Sequence, residues 1–250
     1  MKDLAIGAED KRRVETLAES LRTAFGADLL SVVLYGSAAR ADHFGHGGSD
    51  LNVAAVLKEI SLASLERGTK ASRAWSQEGN RPLLFLSPEW IDRSRDVFPI
   101  EFLDIVDAHV VILGSDPFAG LSVSLDNLRL QCESELKVKL IHLRTGYMEM
   151  HEDANLLARL MAASYASVIS ICRGALRAAG RPAPARSEDV VGEVSALCGI
   201  DAAPFVEVAA IKRGGPGAAA LAVKPLFKRY YDQVEMLARS VDAGFGKGAN

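Results

Sequence analysis

The sequence predicts an α/β domain followed by an all-α domain, an α+β arrangement overall, and three observations carry that reading. Short β-branched apolar runs alternate with amphipathic segments up to about residue 118. From Ser124 onward only helical periods appear. Two punctuating stretches, Gly180-Arg181-Pro182-Ala183-Pro184 and Arg213-Gly214-Gly215-Pro216-Gly217, then divide the second half into helices. The domains are accordingly placed at 1–118 and 119–250.

The elements follow in order. Val14, Leu17, Leu21 and Phe25 recur at helical spacing in residues 10–25, and Gly26-Ala27-Asp28 stops that helix. Leu29–Tyr35 is a continuous apolar run ending at Gly36-Ser37, the pattern of a buried strand. A polar, Gly-rich link follows, and a second apolar strand runs from Asp50 to Leu57. Ile60–Trp75 reads as a helix, and Pro82–Leu86 as a third strand. Ser87-Pro88-Glu89 has the capping chemistry of a helix start. Ile100–Ala108 is a short amphipathic helix, and Val110–Leu113 a last strand. Five helices are then expected at 124–150, 153–179, 187–198, 202–212 and 219–242.

Composition narrows the function classes. With 49% hydrophobic and 24% charged residues, the chain can bury a core without disulfides or structural metal. A net charge of −3 gives no overall attraction to nucleic acid or anionic membrane, so phosphate recognition has to be local. Cys132, Cys172 and Cys198 are widely spaced and odd in number, which argues for buried thiols in a reducing compartment. The N-terminus lacks an apolar signal core, and no stretch approaches 18 uninterrupted apolar residues. A cytoplasmic location without membrane contact is expected.

One segment concentrates the chemistry: 34-LYGSAARADHFGHGGSDLNVAAV-56. It sets Gly-Ser at the end of one buried strand and an Asp at the start of the next. A Gly at a strand end lets a phosphate approach the backbone, and the Ser hydroxyl with nearby N–H groups can hold its oxygens. An acid at the neighbouring strand's end can bind a divalent cation against that phosphate.

This arrangement resembles the nucleotidyltransferase superfamily that includes aminoglycoside nucleotidyltransferases, DNA polymerase beta and minimal nucleotidyltransferases. Leu34-Tyr35-Gly36-Ser37 matches the first half of that family's signature, and Asp50-Leu51-Asn52-Val53 the second. The resemblance covers about the first hundred residues, and a helical domain behind is similar to the antibiotic-modifying relatives. It implies a mixed β-sheet with flanking helices, followed by a helical bundle. It also implies Gly36, Ser37, Arg40 and Ser49 at the phosphates of a nucleoside triphosphate, and Asp50 on Mg2+. The reaction implied is attack of an acceptor hydroxyl on the α-phosphate.

The chain departs from the family at two of three acids. Asp50 matches the first, but Asn52 stands at the second, where its neutral amide oxygen is a weaker ligand for a hard cation. The third should lie on the third strand, yet Leu83, Leu84 and Phe85 carry no acid. If each lost ligand costs tenfold to hundredfold, the two together cost about 3–5 kcal/mol. Glu89, Glu101 and Asp104 are candidate substitutes. Glu101, Asp104 and Asp107 also fit the solvated face of a helix whose Phe98, Ile100, Leu103 and Val106 pack inward.

Other constellations are less specific. His43 and His46 sit in the Gly-rich link without a third ligand. Arg144 and His151 lie seven apart on one helical face, matching the loose pattern of helical ribonucleases. Lys212, Arg213, Lys224, Lys228 and Arg229, with Tyr230 and Tyr231, form a basic stretch that reads as a solvated helix face. The expected function is weak Mg2+-dependent nucleotidyl transfer to a hydroxyl of a small molecule or protein. The alternative is a non-catalytic nucleotide-binding or regulatory module. Nucleic acid is not expected as a partner, and a homodimer remains open.

Overall fold

A computed structural model describes residues 6–39, 51–214 and 222–245 of the chain, apart from the Ser37 side chain. Four strands, β1 (Leu29–Tyr35), β2 (Asn52–Leu57), β3 (Leu84–Leu86) and β4 (His109–Gly114), form one sheet in the order β3-β2-β1-β4. The sheet is mixed: β1 pairs antiparallel with both β2 and β4, while β2 and β3 are parallel.

Helices cover both faces, which is why the strands are apolar throughout rather than alternating. On one face, Val14, Leu17, Leu21 and Phe25 of α1 (Ala8–Phe25) pack on Val32, Leu34, Val53, Ala55 and Leu57. Trp75 of α2 (Leu62–Gln77) joins that layer. The opposite face turns Val33, Ala54, Val56 and Leu86 toward Ile91, Phe102 and Ile105. Those residues come from α3 (Pro88–Arg93) and α4 (Pro99–Asp107). Ser61 and Ser64 close a reciprocal capping box at the start of α2, and the Ser87 hydroxyl caps α3.

Two sequence expectations shift in register. The third strand starts at Leu84 rather than Pro82, because proline has no N–H to donate to a ladder. In α4 Ile100, Phe102 and Ile105 are buried and Val106 packs against the same core, whereas Phe98 and Leu103 do not join the buried set. Phe102 meets both Trp90 and Phe118, and that aromatic cluster fixes which side of the helix faces the sheet. Phe98 instead stacks on the exposed side of Trp90 at 5.7 Å.

The chain divides into two compact units, Met1–Val123 and Ser124–Asn250. Phe118 is buried in the first unit's core, with Leu121 and Val123 packed against it. Among its described residues the second unit has helices and connecting turns and no strand. It comprises α5 (Leu125–Met150), α6 (Ala154–Ala178), α7 (Ser187–Cys198), α8 (Ala203–Lys212) and α9 (Val223–Asp242). The long apolar α6 packs against all four others and forms the centre of the bundle. Its length and composition would also suit a membrane span, but half of that apolar stretch is already buried by protein. Within this core Tyr230 is fully buried, and its hydroxyl is partnered by Ser164 at 3.0 Å. Cys132 and Cys172 are buried, and burial pushes the Cys172 thiol upward, as expected of inert packing thiols.

Candidate active site

The register of the sheet brings the two halves of the motif together. Tyr35 is paired with Asn52, so Gly36 and Leu51 leave the β1–β2 ladder at the same end. Gly36 takes φ +80°, a conformation that favours glycine, and its N–H donates to the Ala108 carbonyl at 2.9 Å. A Cβ at Gly36 would stand 3.1 Å from the Asn52 amide nitrogen. The turn thus favours glycine, and Asn52 lies close enough that a methyl here would make its side chain shift. A single 3-10 turn, Ser37–Ala39, follows and buries Ala38 beneath the strand end. Arg40, Ser49 and Asp50, with His43 and His46, lie outside the described residues.

Neighbouring elements end beside the same point. His109 opens β4 opposite Tyr35, immediately after Asp107 and Ala108 at the C-terminal end of α4. Its Nδ1 lies 2.9 Å from the Ile105 carbonyl and its Nε2 3.1 Å from the Asp116 carboxylate, so both ring nitrogens face acceptors. On the other flank, Ala54 pairs with Leu84 in the parallel β2–β3 ladder. The ladder ends at that pair, and residues 81–83 lead into β3 from the end of the sheet where Asn52 opens β2. Burial raises the Tyr35 phenol above its ordinary range, while the positive charge of Arg81 works against that rise. The segment leading into β3 therefore carries Arg81 and Pro82 and no acid.

The candidate substitute acids separate along the fold. Glu89 follows the C-terminal end of β3, which lies beside Val56 rather than Asn52. Four strand residues span about 13 Å, so Glu89 belongs to the far end of the sheet. It is also paired with Arg93 at 3.0 Å. Along α4 the order reverses. Asp107 sits next to Ala108 and the Gly36 contact, Asp104 about one turn back and Glu101 about two. Glu101 and Asp107 are exposed and Asp104 is half-buried.

Tyr35 belongs to the motif itself, but sequence reasoning missed Arg81 and His109 as its neighbours. The signal for His109 was its position at the start of a strand, where β4 was expected one residue later. Arg81 could be found only from the parallel register of β3.

Among the described residues the donor set does not make up a two-cation centre. Asn52 offers one neutral oxygen, β3 none, and no cluster of three His, Cys, Asp or Glu side chains occurs among the described residues. Asp50 with the Asn52 amide would suit at most one Mg2+, completed by water and ligand oxygens.

A solved structure decides the architecture. A spectinomycin adenyltransferase from Enterococcus faecialis, crystallised with ATP and spectinomycin, superposes with a TM-score of 0.56. The match covers 90% of this chain and 98% of that one, at 11% sequence identity. The chain has a nucleotidyltransferase-like fold. No family model matches it, and no curated protein is significantly similar in sequence.

In the helical unit the remaining motifs come apart. Arg144 is committed to the Tyr231 hydroxyl at 2.7 Å and to Glu235 at 3.2 Å, while the His151 ring lies against Tyr147. The C-terminal basic stretch is not one solvated face. Arg229 is bidentate to Glu207, Arg213 pairs with Glu188, and Tyr230 is in the core.

Proposed function

We propose that the motif end of the sheet binds a nucleoside triphosphate with Mg2+ and transfers its nucleotidyl group slowly to a hydroxyl acceptor. The observation that supports this most is the convergence of Gly36 and Asn52 at one strand-end pair, on a nucleotidyltransferase-like fold. In this reading Gly36 and Ser37 approach the phosphates, with Arg40 and Ser49 adding hydrogen bonds and charge. Asp50 holds the cation and Asn52 is its weak second ligand. Asp107 and Asp104 are better placed than Glu89 or Glu101 to receive the acceptor's proton.

The second reading is a non-catalytic nucleotide-binding or regulatory module. The combination of Asn52 with Arg81-Pro82 in place of a third acid favours it. Without a carboxylate on the third strand, nothing on β3 orients a nucleophile or balances a second cation. The two readings share binding and differ in turnover. Labelled-nucleotide transfer to small hydroxyl acceptors, followed together with pyrophosphate release, separates them. Mg2+-dependent release above the no-enzyme rate supports transfer, and nucleotide binding without release supports the module. Absence of Mg2+-nucleotide binding would remove both.

A further inference from the structure

Helix α4 ends without a glycine. The last carbonyls of a helix have no partner within it, and a left-handed glycine often serves them, as Gly199 does after α7 at φ +68°. After α4 the chain passes instead through Ala108, at φ −145° and ψ 80°, well away from the left-handed region. The next residue supplies the cap from its side chain. His109 Nδ1 lies 2.9 Å from the Ile105 carbonyl and 3.3 Å from that of Val106. Carbonyl oxygens only accept, so in these contacts the ring N–H donates.

The rest of the ring is held as well. Its Nε2 lies 3.1 Å from Asp116 Oδ2, and the other oxygen of that carboxylate accepts the Phe118 N–H at 2.9 Å. The imidazole also stands edge-on to the buried Phe118 at 5.7 Å, and only 15% of its side chain is exposed. Contacts at both nitrogens and against an aromatic ring leave it one orientation.

What this cap supports is the motif end. The Ala108 carbonyl accepts the Gly36 N–H at 2.9 Å, and the Ala108 N–H donates to Ile105 at 3.1 Å. His109 itself pairs with Tyr35 in the β1–β4 ladder. A left-handed residue at 108 would redirect the carbonyl that Gly36 uses, so a side-chain cap is the form compatible with that bond. The Gly36 turn therefore hangs on Ala108, and Ala108 on a helix end that His109 closes.

We propose that His109 is the positioning residue of the motif end, acting through its Nδ1 bond to the Ile105 carbonyl. With the helix end closed, Ala108 holds Gly36 in its turn at φ +80°, and Asp107 keeps its place beside it. Asp116 steadies the ring from the other side and contributes less. The consequence for nucleotide rests on the function proposed above, whereas the hold on Gly36 does not.

The test reads Gly36 directly. Amide hydrogen exchange is followed by NMR on the full chain, with Val33 of the same strand as the control for global opening. Asparagine can place its amide N–H near the Nδ1 position, and glutamine near that of Nε2. His109→Asn is expected to keep Gly36 protection within about twofold of wild type. His109→Gln should lose about tenfold at Gly36 relative to Val33, and Asp116→Asn about twofold. Affinity for Mg2+-ATP should follow the same order, falling about fivefold in His109→Gln and holding in His109→Asn. One check needs no variant to fold: the 15N shifts of the wild-type His109 ring should show Nδ1 protonated. An unprotonated Nδ1 overturns the proposal, and so does Gly36 protection that His109→Asn keeps no better than His109→Gln. Undiminished Mg2+-ATP affinity after Gly36 protection is lost overturns it too. If the wild type binds no Mg2+-ATP, the nucleotide reading falls, and Gly36 exchange still decides the role of His109.

Discussion

The two ends of the sheet use the same residue for opposite purposes. At the far end Gly114 takes φ +84° opposite Ser31, and a Cβ there would run into the Leu30 carbonyl oxygen. The surrounding contacts are structural: Lys58 N–H donates to the Asp28 carbonyl at 2.9 Å, and Arg67 meets the Asp28 carboxylate at 2.7 Å. At the motif end Gly36 has nearly the same φ, but its missing Cβ faces a side-chain tip, that of Asn52. One glycine lets two strands touch, and the other keeps a strand end approachable. A glycine with positive φ thus points to chemistry only where polar groups converge on it.

The comparison breaks most visibly at Gly114. Alanine there must adopt an unfavourable φ and displace backbone rather than a side chain. Gly114→Ala is expected to lower stability by about 3 kcal/mol or more, read by urea denaturation, without direct effect on nucleotide affinity in the folded fraction. A variant with unchanged midpoint would show that the β1–β4 pairing is looser than its register implies.

Next in size is Asp50→Ala, which removes the one acid of the motif end carried by β2's leading residues. It should abolish Mg2+-dependent nucleotide affinity, a loss of about hundredfold or more, with little change in melting temperature. Calorimetry with and without Mg2+ measures it, and undiminished affinity would move the nucleotide away from the motif end.

Gly36→Ala should act on both sides of the comparison and more mildly than Gly114→Ala. The φ penalty costs about 1–2 kcal/mol, while Asn52 can swing aside from the new methyl. Nucleotide affinity should fall about tenfold, because the methyl occupies the approach to the strand end. Full affinity at reduced stability would make Gly36 structural, like Gly114.

Much of the fold was legible because its signals are local. Leu29–Tyr35 and Asn52–Leu57 are largely buried and, apart from Ser31 and Asn52, apolar, and α6 and α9 show their apolar stripes in the sequence. What was illegible depends on pairing between distant residues. The sequence shows Pro82–Leu86 as an apolar run, but only the parallel register with β2 sets Leu84 beside Ala54 and sends Glu89 to the far end. His109 looked like a residue before a strand, and its place opposite Tyr35 needs the β1–β4 ladder. The basic stretch near the C-terminus looked continuous, yet helical rotation gives Arg229 to Glu207 and Tyr230 to the core.

The smallest expected effect is the most informative about catalysis. Asn52 keeps the size and one oxygen of a carboxylate but lacks its charge, and it lies against Gly36 at the same strand end. Asn52→Asp restores that charge without altering the packing, so Mg2+-nucleotide binding should tighten by about tenfold, near 1.4 kcal/mol. Stability should fall slightly, because the new carboxylate has no partner until the cation arrives. Turnover should stay poor, since the segment leading into β3 carries Pro82 and Arg81, whose positive charge acts on Tyr35, and no acid to orient the acceptor hydroxyl. Adding Arg81→Glu to Asn52→Asp should then raise pyrophosphate release above either single variant. Brisk release already in the wild type would instead assign the proton acceptor to α4, and Asp107→Asn, more than Asp104→Asn, should abolish it, because Asp107 adjoins the residue that holds Gly36.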